Sequence, residues 1–377
     1  DSFQSEKPAG AYVRSRDPRK CEEHGLVCLL HEKPFEGVNG SGKHNNWSIA
    51  TNDGQNLLNP GSTPMENLQF LTFLCAVIKG VDEYADLLRI SAASAANDHR
   101  LGANEAPPAI ISIFMGEELQ GVLDALVSGD TYTSQSMTFK IGVDALPDFP
   151  KDSTDRNRTS PFAFTGNRFE FRMVGSSENI ACPNHMLNTI VASELSDIAD
   201  KMEKVPADKF KDELKKLLAE IVKEHKRVIF NGDGYSDAWV EEAAKRGLPN
   251  YKTTADCVPH YVDEKNVKLF EKFGIFSKAE IEARVEILLE SYSKTINIEA
   301  LTMIDMAKKK YIPACLAYSK ELADAIAVKK SIDVCTCVEK DLVKKITDET
   351  EKAYDAVQKL EEVTAVAAAK TCMQEMA

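Results

Sequence analysis

The sequence predicts an α+β fold that continues into a long all-helical extension. Between residues 109 and 161, short apolar runs of strand length alternate with turn residues around one helical segment. Beyond about residue 185, Pro and Gly residues separate long stretches whose apolar residues have helical spacing. These observations divide the chain into an α+β domain at residues 1–200 and a helical extension at residues 201–377.

The elements follow from their apolar periods. Residues 1–23 mix Gly, Pro and charged residues without a period, which is typical of a loop or a frayed terminus. Elsewhere, short apolar runs or alternation predict strands, and apolar residues three and four apart predict helices. The predicted strands are 27–30, 43–51, 110–114, 137–141 and 168–173, and the predicted helices of the α+β domain are 65–89 and 117–127.

Composition excludes several classes of function. The formal net charge of −13 argues against nucleic-acid binding, because phosphate contacts need clustered Lys and Arg. No apolar run reaches the roughly 20 residues that a membrane-spanning helix needs. Nine cysteines, an odd number without regular spacing, favour free thiols in a reducing, cytoplasmic compartment. The close pair Cys335 and Cys337 lacks the neighbouring ligands of a zinc site.

Residues 37–43 fit the first seven places of a Walker A loop, but His44 stands where that loop needs Ser or Thr. The residues that follow alternate with period two and are poor helix formers, so we interpret the segment as a glycine-rich turn entering a strand. The strand places His44, Asn46 and Ser48 on one face and Trp47 on the buried one. The polar face is either a ligand-binding surface or a solvent-facing edge, and spacing alone favours the edge.

Residues 168–173 alternate even more regularly. Arg168, Glu170 and Arg172 share one face, and Phe169, Phe171 and Met173 share the other. One interpretation is a surface strand with ion pairs worth about 0–1 kcal/mol. The other is a cavity wall in which Glu170 ligates a cation and the guanidinium groups bind phosphate oxygens. In that case we expect Arg172→Ala to leave the melting temperature nearly unchanged.

Two further segments carry arginines in loops. Residues 97–108, with Arg100 and Glu105, are too rich in Gly and Pro for a helix, and residues 155–161 place Arg158 just before a predicted strand. Loops on a rigid scaffold often carry binding and catalytic residues. Both segments are therefore candidates for a functional site.

Taken in order, these motifs resemble the successive active-site motifs of glutamine synthetases. The matching segments are 39–44, 104–107, 157–158 and 168–172, and segments 39–48, 99–116 and 157–177 are similar to the type III class in particular. The resemblance covers roughly residues 24–313. It implies an ATP-dependent ligase that joins ammonia to the γ-carboxylate of glutamate through γ-glutamyl phosphate. It also identifies the helical extension as one typical of the type III class.

The resemblance implies a fold, cofactors and partners as well. Glutamine synthetases have a split barrel of mostly antiparallel strands flanked by helices, which would make residues 1–200 the catalytic domain. They use Mg²⁺ or Mn²⁺, with ATP as co-substrate, and form homo-oligomers of hexameric rings stacked in pairs. We therefore expect a cytoplasmic enzyme of nitrogen metabolism that binds neither nucleic acid nor membranes.

Each motif residue receives a role from the resemblance. Glu105 takes a proton from ammonium, while Arg158 and Arg172 neutralise the transferring phosphoryl group. The metal ligands are His44 and Glu170, the glutamate-binding residues are Asn39, Gly40 and Arg100, and the ATP-binding residues are Asn46, Ser48 and Arg168.

The sequence departs from the family pattern before the glycine turn. Family members carry a Glu-x-Glu strand and a further carboxylate-bearing segment there, and neither precedes Asn39. This departure supports a second hypothesis, in which the chain is a catalytically incomplete, glutamine-synthetase-like assembly or regulatory subunit.

Overall fold

A computed structural model describes residues 23–25, 31–130, 132, 138–139, 149–150 and 159–368. The chain divides into two compact units, Asp1–Val285 and Glu286–Ala377. The described part is rich in helices, with a small mixed sheet in the first unit, so the predicted α+β class is confirmed.

The first unit contains short strands and helices, and only helices follow its last strand among the described residues. In chain order they are β1 Asn45–Trp47, α1 Leu68–Glu83, α2 Ala85–Ile90, α3 Ala95–Arg100, β2 Ile113–Phe114, α4 Gly116–Ser128, β3 Thr138–Phe139, β4 Phe149–Pro150, β5 Phe162–Phe164, β6 Phe169–Phe171, α5 Ala181–Met202, α6 Phe210–His225, α7 Asp237–Lys245, α8 Thr254–Cys257 and α9 Glu264–Lys272. The 3₁₀ turns Lys226–Val228 and Val258–Val262 follow α6 and α8.

The main sheet has four strands in the order β1-β6-β5-β2. The β1–β6 and β6–β5 pairs are antiparallel, and the β5–β2 pair is parallel. Antiparallel pairing therefore dominates, as predicted. Over the described residues this sheet is open, so closure into a split barrel stays a prediction.

Aromatic side chains anchor the sheet to the helices. Phe162 stacks on Phe169 with ring centroids 4.7 Å apart, and Phe164 meets Phe169 edge-on at 5.2 Å. On the helical side, Phe70 of α1 lies 6.0 Å from Phe164, and α1 packs in turn against α5 and α6. Full burial of a Phe contributes about 1.5–3 kcal/mol, so this cluster fixes the position of β5 and β6.

Most predicted elements are present, with changed boundaries. The predicted helix 65–89 is two helices, α1 and α2, which are separated at Tyr84. The prediction that residues 97–108 contain no helix is wrong at their start, because α3 extends to Arg100. Its N-cap Ser94 accepts the Asn97 N–H at 3.3 Å, which offsets the poor helix propensity of these residues. The predicted strand 27–30 lies outside the described residues.

The described part of the second unit is helical except for a turn at residues 332–336. It contains the end of α10, Lys278–Met306, a π-helical turn at Ala307–Tyr311, α11 Ile312–Ser331 and α12 Cys337–Ala368. Helices α11 and α12 pack against each other. In the described ranges no helix is both long enough and apolar enough to cross a membrane.

Candidate functional site

Strands β1 and β6 build a row of polar side chains on one face of the sheet. Asn46 lies directly opposite Glu170 in the antiparallel ladder, so both side chains project from the same face. On the other face Trp47 is only 7% exposed, and Phe169 and Phe171 are fully buried. The predicted sorting of faces is confirmed on both strands, and the register that it requires is the observed one.

Glu170 lies at the centre of this row between a histidine and an arginine. His44 Nδ1 is 2.8 Å from Glu170 Oε1, and Arg172 donates from Nε and Nη2 to Glu170 Oε2 at 3.0 and 2.8 Å. Burial alone would favour the protonated carboxyl. The hydrogen bond from His44 and the charge and hydrogen bonds of Arg172 outweigh burial and lower the pKa of Glu170 to about 2. A carboxylate is therefore fixed in this position at neutral pH.

A β-bulge lies beside Arg172. Asn45 pairs with Phe171, whereas Gly42 pairs with Gly175, so one extra residue lies on the β6 side between these two pairs. Such an insertion bends the strand and re-aims its side chains. The extra residue falls within residues 172–174, directly beside the polar row.

Arg100 stabilises this bulge through hydrogen bonds to its backbone. Its guanidinium group donates to the carbonyl oxygens of Arg172, Met173 and Val174 at 3.1, 3.2 and 3.4 Å. Asn97, one turn earlier on α3, donates to the same Met173 carbonyl at 2.8 Å. The Val174 carbonyl also accepts the Lys43 N–H at 2.8 Å, so the bonds from Arg100 and Asn97 add to the ladder at the bulge. Arg100 is itself buried, and burial lowers its pKa.

The glycine turn packs directly on the Arg100 side chain. A Cβ atom on Gly42 would overlap the guanidinium group, and one on Gly40 would lie 2.5 Å from the Glu32 carbonyl oxygen and 3.2 Å from Arg100 Cγ. The turn therefore needs glycine because of close packing rather than phosphate binding. Asn39 is exposed at its tip. No helix opens after the turn, which agrees with our rejection of a Walker A loop.

Ser48 and Arg168 lie at the other end of the row. The Ser48 hydroxyl donates to Asn56 Oδ1 at 3.0 Å and to the Asn167 carbonyl at 3.3 Å. Arg168 is exposed and follows the tight turn that joins β5 to β6. Since a strand rises about 3.3 Å per residue, Ser48 is about 13 Å from His44 along β1.

Glu105 lies in the loop after α3 with a left-handed backbone. Its φ of 54° is uncommon for a residue other than glycine. Gly102 donates to the Pro107 carbonyl at 2.9 Å, which closes the loop, and Asn104 Nδ2 donates to the Gly37 carbonyl at 3.1 Å. The loop is thus tied to the segment that leads into the glycine turn. Strain of this kind concentrates at functional sites.

Tyr235, which the sequence analysis did not identify, lies close enough to the predicted site for their charges to affect it. Burial and the charges of Glu105 and Asp233 raise the pKa of its phenol, while Arg100 and Arg172 act in the opposite direction. The ring therefore lies within electrostatic reach of three predicted site residues. Tyr235 lies in a connector between helices, where no apolar period singles out one residue.

Two carboxyl groups near the glycine turn, Glu32 and Glu178, were also not identified from the sequence. Glu32 is 1% exposed, and its Oε1 accepts hydrogen bonds from the Ser177 N–H, at 2.7 Å, and from the Ser177 hydroxyl. Burial and the charge of Glu32 raise the pKa of Glu178, although hydrogen bonds from Ser94 and Gly175 lower it. Both carboxylates offset the charge of Arg100. The sequence shows Glu32 only as one charged residue in a polar segment.

The predicted metal ligands meet but do not complete a cation site. His44 and Glu170 are in contact, and both carboxylate oxygens of Glu170 already have protein partners. Among the described residues, no group of three or more His, Cys, Asp or Glu side chains is arranged to hold a metal ion. Mg²⁺ takes about six ligands, mostly oxygen. The two residues fit part of a site only, and we derive no reaction step through a metal.

The structure thus brings together most of the predicted site. His44, Asn46, Glu170 and Arg172 share the row, Arg100 lies beneath it, and the loop carrying Glu105 is tied to the glycine turn. Arg158 lies outside the described residues. In this row Asn46 and Ser48 are exposed, whereas Glu170 and Arg172 are buried. A fixed carboxylate, an imidazole and arginines together are typical of a binding site for a charged ligand.

Comparison with known proteins specifies the class further. Residues 213–330 match the sequence model of the glutamine synthetase C-terminal domain. A glutamine synthetase from Butyrivibrio fibrisolvens is 50% identical over 349 residues, which are 91% of this chain and 49% of that protein. A type-3 glutamine synthetase from Dictyostelium discoideum is 50% identical over 306 residues, 81% of this chain and 42% of that protein. A glutamine synthetase from Bacteroides fragilis (strain YCH46) is 40% identical over 371 residues, 95% and 51% of the two chains.

The chain belongs to the glutamine synthetase family, as the motifs indicated. It spans about half the length of the relatives that it matches.

Proposed function

We propose that this chain is the ATP-binding and phosphoryl-transfer portion of a type III glutamine synthetase, which ligates ammonia to glutamate through γ-glutamyl phosphate. The order of side chains along the β1–β6 row carries this proposal. His44 and Arg172 lie at one end of the row, and the Glu170 carboxylate lies at its centre opposite Asn46. Ser48 and Arg168 lie at the other end, about 13 Å from His44 and Arg172 along the strands. This span suits an extended nucleoside triphosphate, with its reacting phosphate beside Arg172.

Charge neutralisation is the catalytic role that the geometry supports best. Phosphoryl transfer depends on positioning and on fixed positive charge, because the protein takes little part in the covalent chemistry. Two hydrogen bonds to the Glu170 carboxylate hold the Arg172 guanidinium in one orientation. Arg158 would supply a second cation, and Asn46, Ser48 and Arg168 would contact the nucleotide.

The substrate residues are proposed to lie on the glycine turn. Asn39 and Gly40 would bind the amino group of glutamate, and Arg100 its α-carboxylate. Among the described residues, the bulge carbonyls use Nη1 and one N–H of Nη2 of Arg100. An α-carboxylate would therefore be bound by the remaining N–H groups of the same guanidinium.

Glu105 is proposed to take a proton from ammonium before the amine attacks the acyl phosphate. General-base catalysis by a well-placed group contributes about 10²- to 10⁴-fold. The strained backbone at Glu105 supports this role, because strain is retained where the orientation of a side chain matters. Tyr235, which shares the electrostatic environment of Glu105, would help to enclose the substrate.

A divalent cation, Mg²⁺ or Mn²⁺, would be held in part by His44 and Glu170. When bound, it would neutralise the phosphates of ATP. Its other ligands would come from the nucleotide, from water and from residues beyond those described. The split barrel would likewise be completed by strands beyond the four described here.

Assembly into hexameric rings, stacked in pairs, is a further part of the proposal. Several large apolar side chains of the second unit are exposed, which favours contact with other protein surfaces. They include Ile298, Met303, Tyr311, Val328 and Ile332. Residues 1–200 would form the catalytic domain, and residues 201–377 the type III extension, which contributes Tyr235 to the site. We place the enzyme in the cytoplasm.

A second candidate function is a catalytically incomplete assembly or regulatory subunit. The observation that favours it is the partial metal site, in which the described residues supply only two ligands. Nucleotide binding and co-assembly separate the two candidates. We expect calorimetric titration of the chain with ATP and Mg²⁺ to detect binding that Arg168→Ala weakens. Co-assembly with a full-length relative, without any nucleotide binding by this chain, would favour the second candidate instead.

A further inference from the structure

Two exposed thiols lie side by side in the turn between α11 and α12. The Sγ atoms of Cys335 and Cys337 are 2.9 Å apart, in hydrogen-bonding contact. The turn belongs to the second unit and contributes no residue to the proposed glutamine synthetase site. We propose that Cys335 and Cys337 form a reversible dithiol–disulfide site that exchanges with low-molecular-weight disulfides.

Backbone hydrogen bonds fix the turn on both sides of the pair. At the end of α11, Val334 donates to the Lys329 carbonyl at 3.0 Å and Asp333 donates to the Lys330 carbonyl at 3.2 Å. Asp333 has a φ of 58°, so these bonds form a Schellman motif with Asp333 in its left-handed position. On the other side, α12 begins at Cys337 itself. The two thiols are therefore presented together by a defined backbone.

The position of the pair at a helix N-terminus favours a thiolate at Cys335. A hydrogen bond from the Cys337 thiol and another from the Cys337 backbone N–H lower the pKa of the Cys335 thiol. The positive end of the dipole of a 32-residue helix acts in the same direction. The pKa of Cys337 is raised, because the Cys335 thiolate stabilises its proton. Cys335 is thus the attacking sulfur, and Cys337 is the resolving one.

The exchange balances without any other reactant. The Cys335 thiolate attacks one sulfur of a small disulfide, forms a mixed disulfide and releases the other half as a thiolate. The Cys337 thiol then loses its proton to that thiolate or to water and attacks the Cys335 sulfur. The second half of the small disulfide leaves as a thiol. The protein is oxidised by two electrons, and the small disulfide is reduced to two thiols.

The other described cysteines lack this environment. Burial raises the pKa of the Cys75 and Cys257 thiols to about 12, and that of Cys182 to about 11, so these three sulfurs are poor nucleophiles at neutral pH. Cys315 on α11 is exposed but has no cysteine beside it in the described structure. It therefore serves as an internal control for simple exposure.

Peptide mapping of the full chain tests the proposal. Cleavage after Lys and Arg releases residues 331–340, which contain Cys335 and Cys337 and no other cysteine, and residues 311–320, which contain only Cys315. The native chain is incubated with mixtures of oxidised and reduced glutathione, alkylated and digested. We expect peptide 331–340 to lose two hydrogen atoms and to regain them with reductant, while peptide 311–320 carries only an alkyl group or a glutathione. Alkylation of both Cys335 and Cys337 under every mixture would overturn the proposal, as would a disulfide between two chains.

Two single variants test the assignment of roles. Cys337→Ser should accumulate glutathione on Cys335, because the resolving thiol is absent, whereas Cys335→Ser should react about tenfold more slowly. Unchanged far-UV circular dichroism of each variant shows that the helices are intact. Equal rates in the two variants, with no mixed disulfide in Cys337→Ser, would contradict the assigned roles.

Discussion

The imidazole of His44 and the carboxylate of Glu170 connect β1 to β6 through a contact of 2.8 Å between Nδ1 and Oε1. The two residues are 126 positions apart in the chain, and they meet because Asn46 pairs with Glu170 in the ladder. Because Arg172 also donates to Glu170, the three side chains of His44, Glu170 and Arg172 form one connected group on this face of the sheet. Several expectations about stability and catalysis depend on this group.

Acid should lower the stability of the fold because it protonates Glu170. Its pKa is about 2 in the folded chain against an ordinary value of 4.5, so the unfolded chain binds the proton more readily. The resulting stabilisation, on the order of 3 kcal/mol, is fully present above about pH 4.5 and is lost as the pH falls toward 2. Chemical denaturation at several pH values, with Glu170→Gln as the control, measures it. A variant with the same acid dependence as the native chain would show that Glu170 does not titrate in this way.

Arg172→Ala should destabilise the fold, contrary to what the alternation of residues 168–173 suggested. Arg172 is only 4% exposed and pairs with Glu170, so its loss leaves a buried carboxylate without its cation. Breaking a buried pair of this kind costs about 3–5 kcal/mol. Arg168→Ala is the matched control, because Arg168 is exposed and directly precedes β6, and we expect a change within about 0.5 kcal/mol. Urea denaturation compares the two, and equal effects would show that the burial of Arg172 is unimportant.

Gly42→Ala should be far more harmful than an ordinary glycine substitution. The new methyl group would overlap the Arg100 guanidinium, which cannot move without releasing the bulge carbonyls. Overpacking typically costs about 1–3 kcal/mol. Gly80→Ala in α1 is the control, since its Cβ would lie 3.4 Å from Ile190 in ordinary contact and alanine favours helix. The melting temperatures of the two variants should move in opposite directions.

Sequence periodicity predicted the faces of β1 and β6 because alternation is local. It placed Trp47, Phe169 and Phe171 in the core, and all three are buried. Contacts between remote segments leave no such pattern. The bonds from Arg100 to Met173 join residues 73 positions apart, and the Glu32 contact with Ser177 joins residues 145 apart. The bulge, the buried carboxylates and Tyr235 therefore became visible only in three dimensions.

Replacing Glu105 separates its backbone role from its chemical role. Glu105→Gly removes the carboxylate but suits the left-handed φ, whereas Glu105→Ala keeps the strain, which is worth about 1 kcal/mol. We therefore expect Glu105→Gly to melt at a higher temperature than Glu105→Ala. In a full-length relative with these motifs, the matching substitution to Ala should slow amide formation far more than it weakens ATP binding. Hydroxylamine, which is neutral at pH 7, should partly rescue that variant, and equal losses in both steps would contradict the base role.

The number of metal ligands leads to a prediction for residues 1–377 on their own. His44 and Glu170 are two donors, and the described residues place no third His, Cys, Asp or Glu beside them. Water and phosphate oxygens could fill several positions, but protein carboxylates normally fix a cation relative to the reacting phosphate. Since positioning accounts for most of the catalysis in phosphoryl transfer, a loosely held cation should slow the reaction severely. We therefore expect the purified chain to bind Mg²⁺ and ATP weakly and to form no γ-glutamyl hydroxamate from glutamate, ATP and hydroxylamine.

A second experiment tests whether assembly completes the site. The chain is mixed with a full-length relative in which the arginine that matches Arg172 has been replaced, and hydroxamate formation is measured again. Robust hydroxamate formation by the chain alone would mean that other residues of this chain supply the missing ligands.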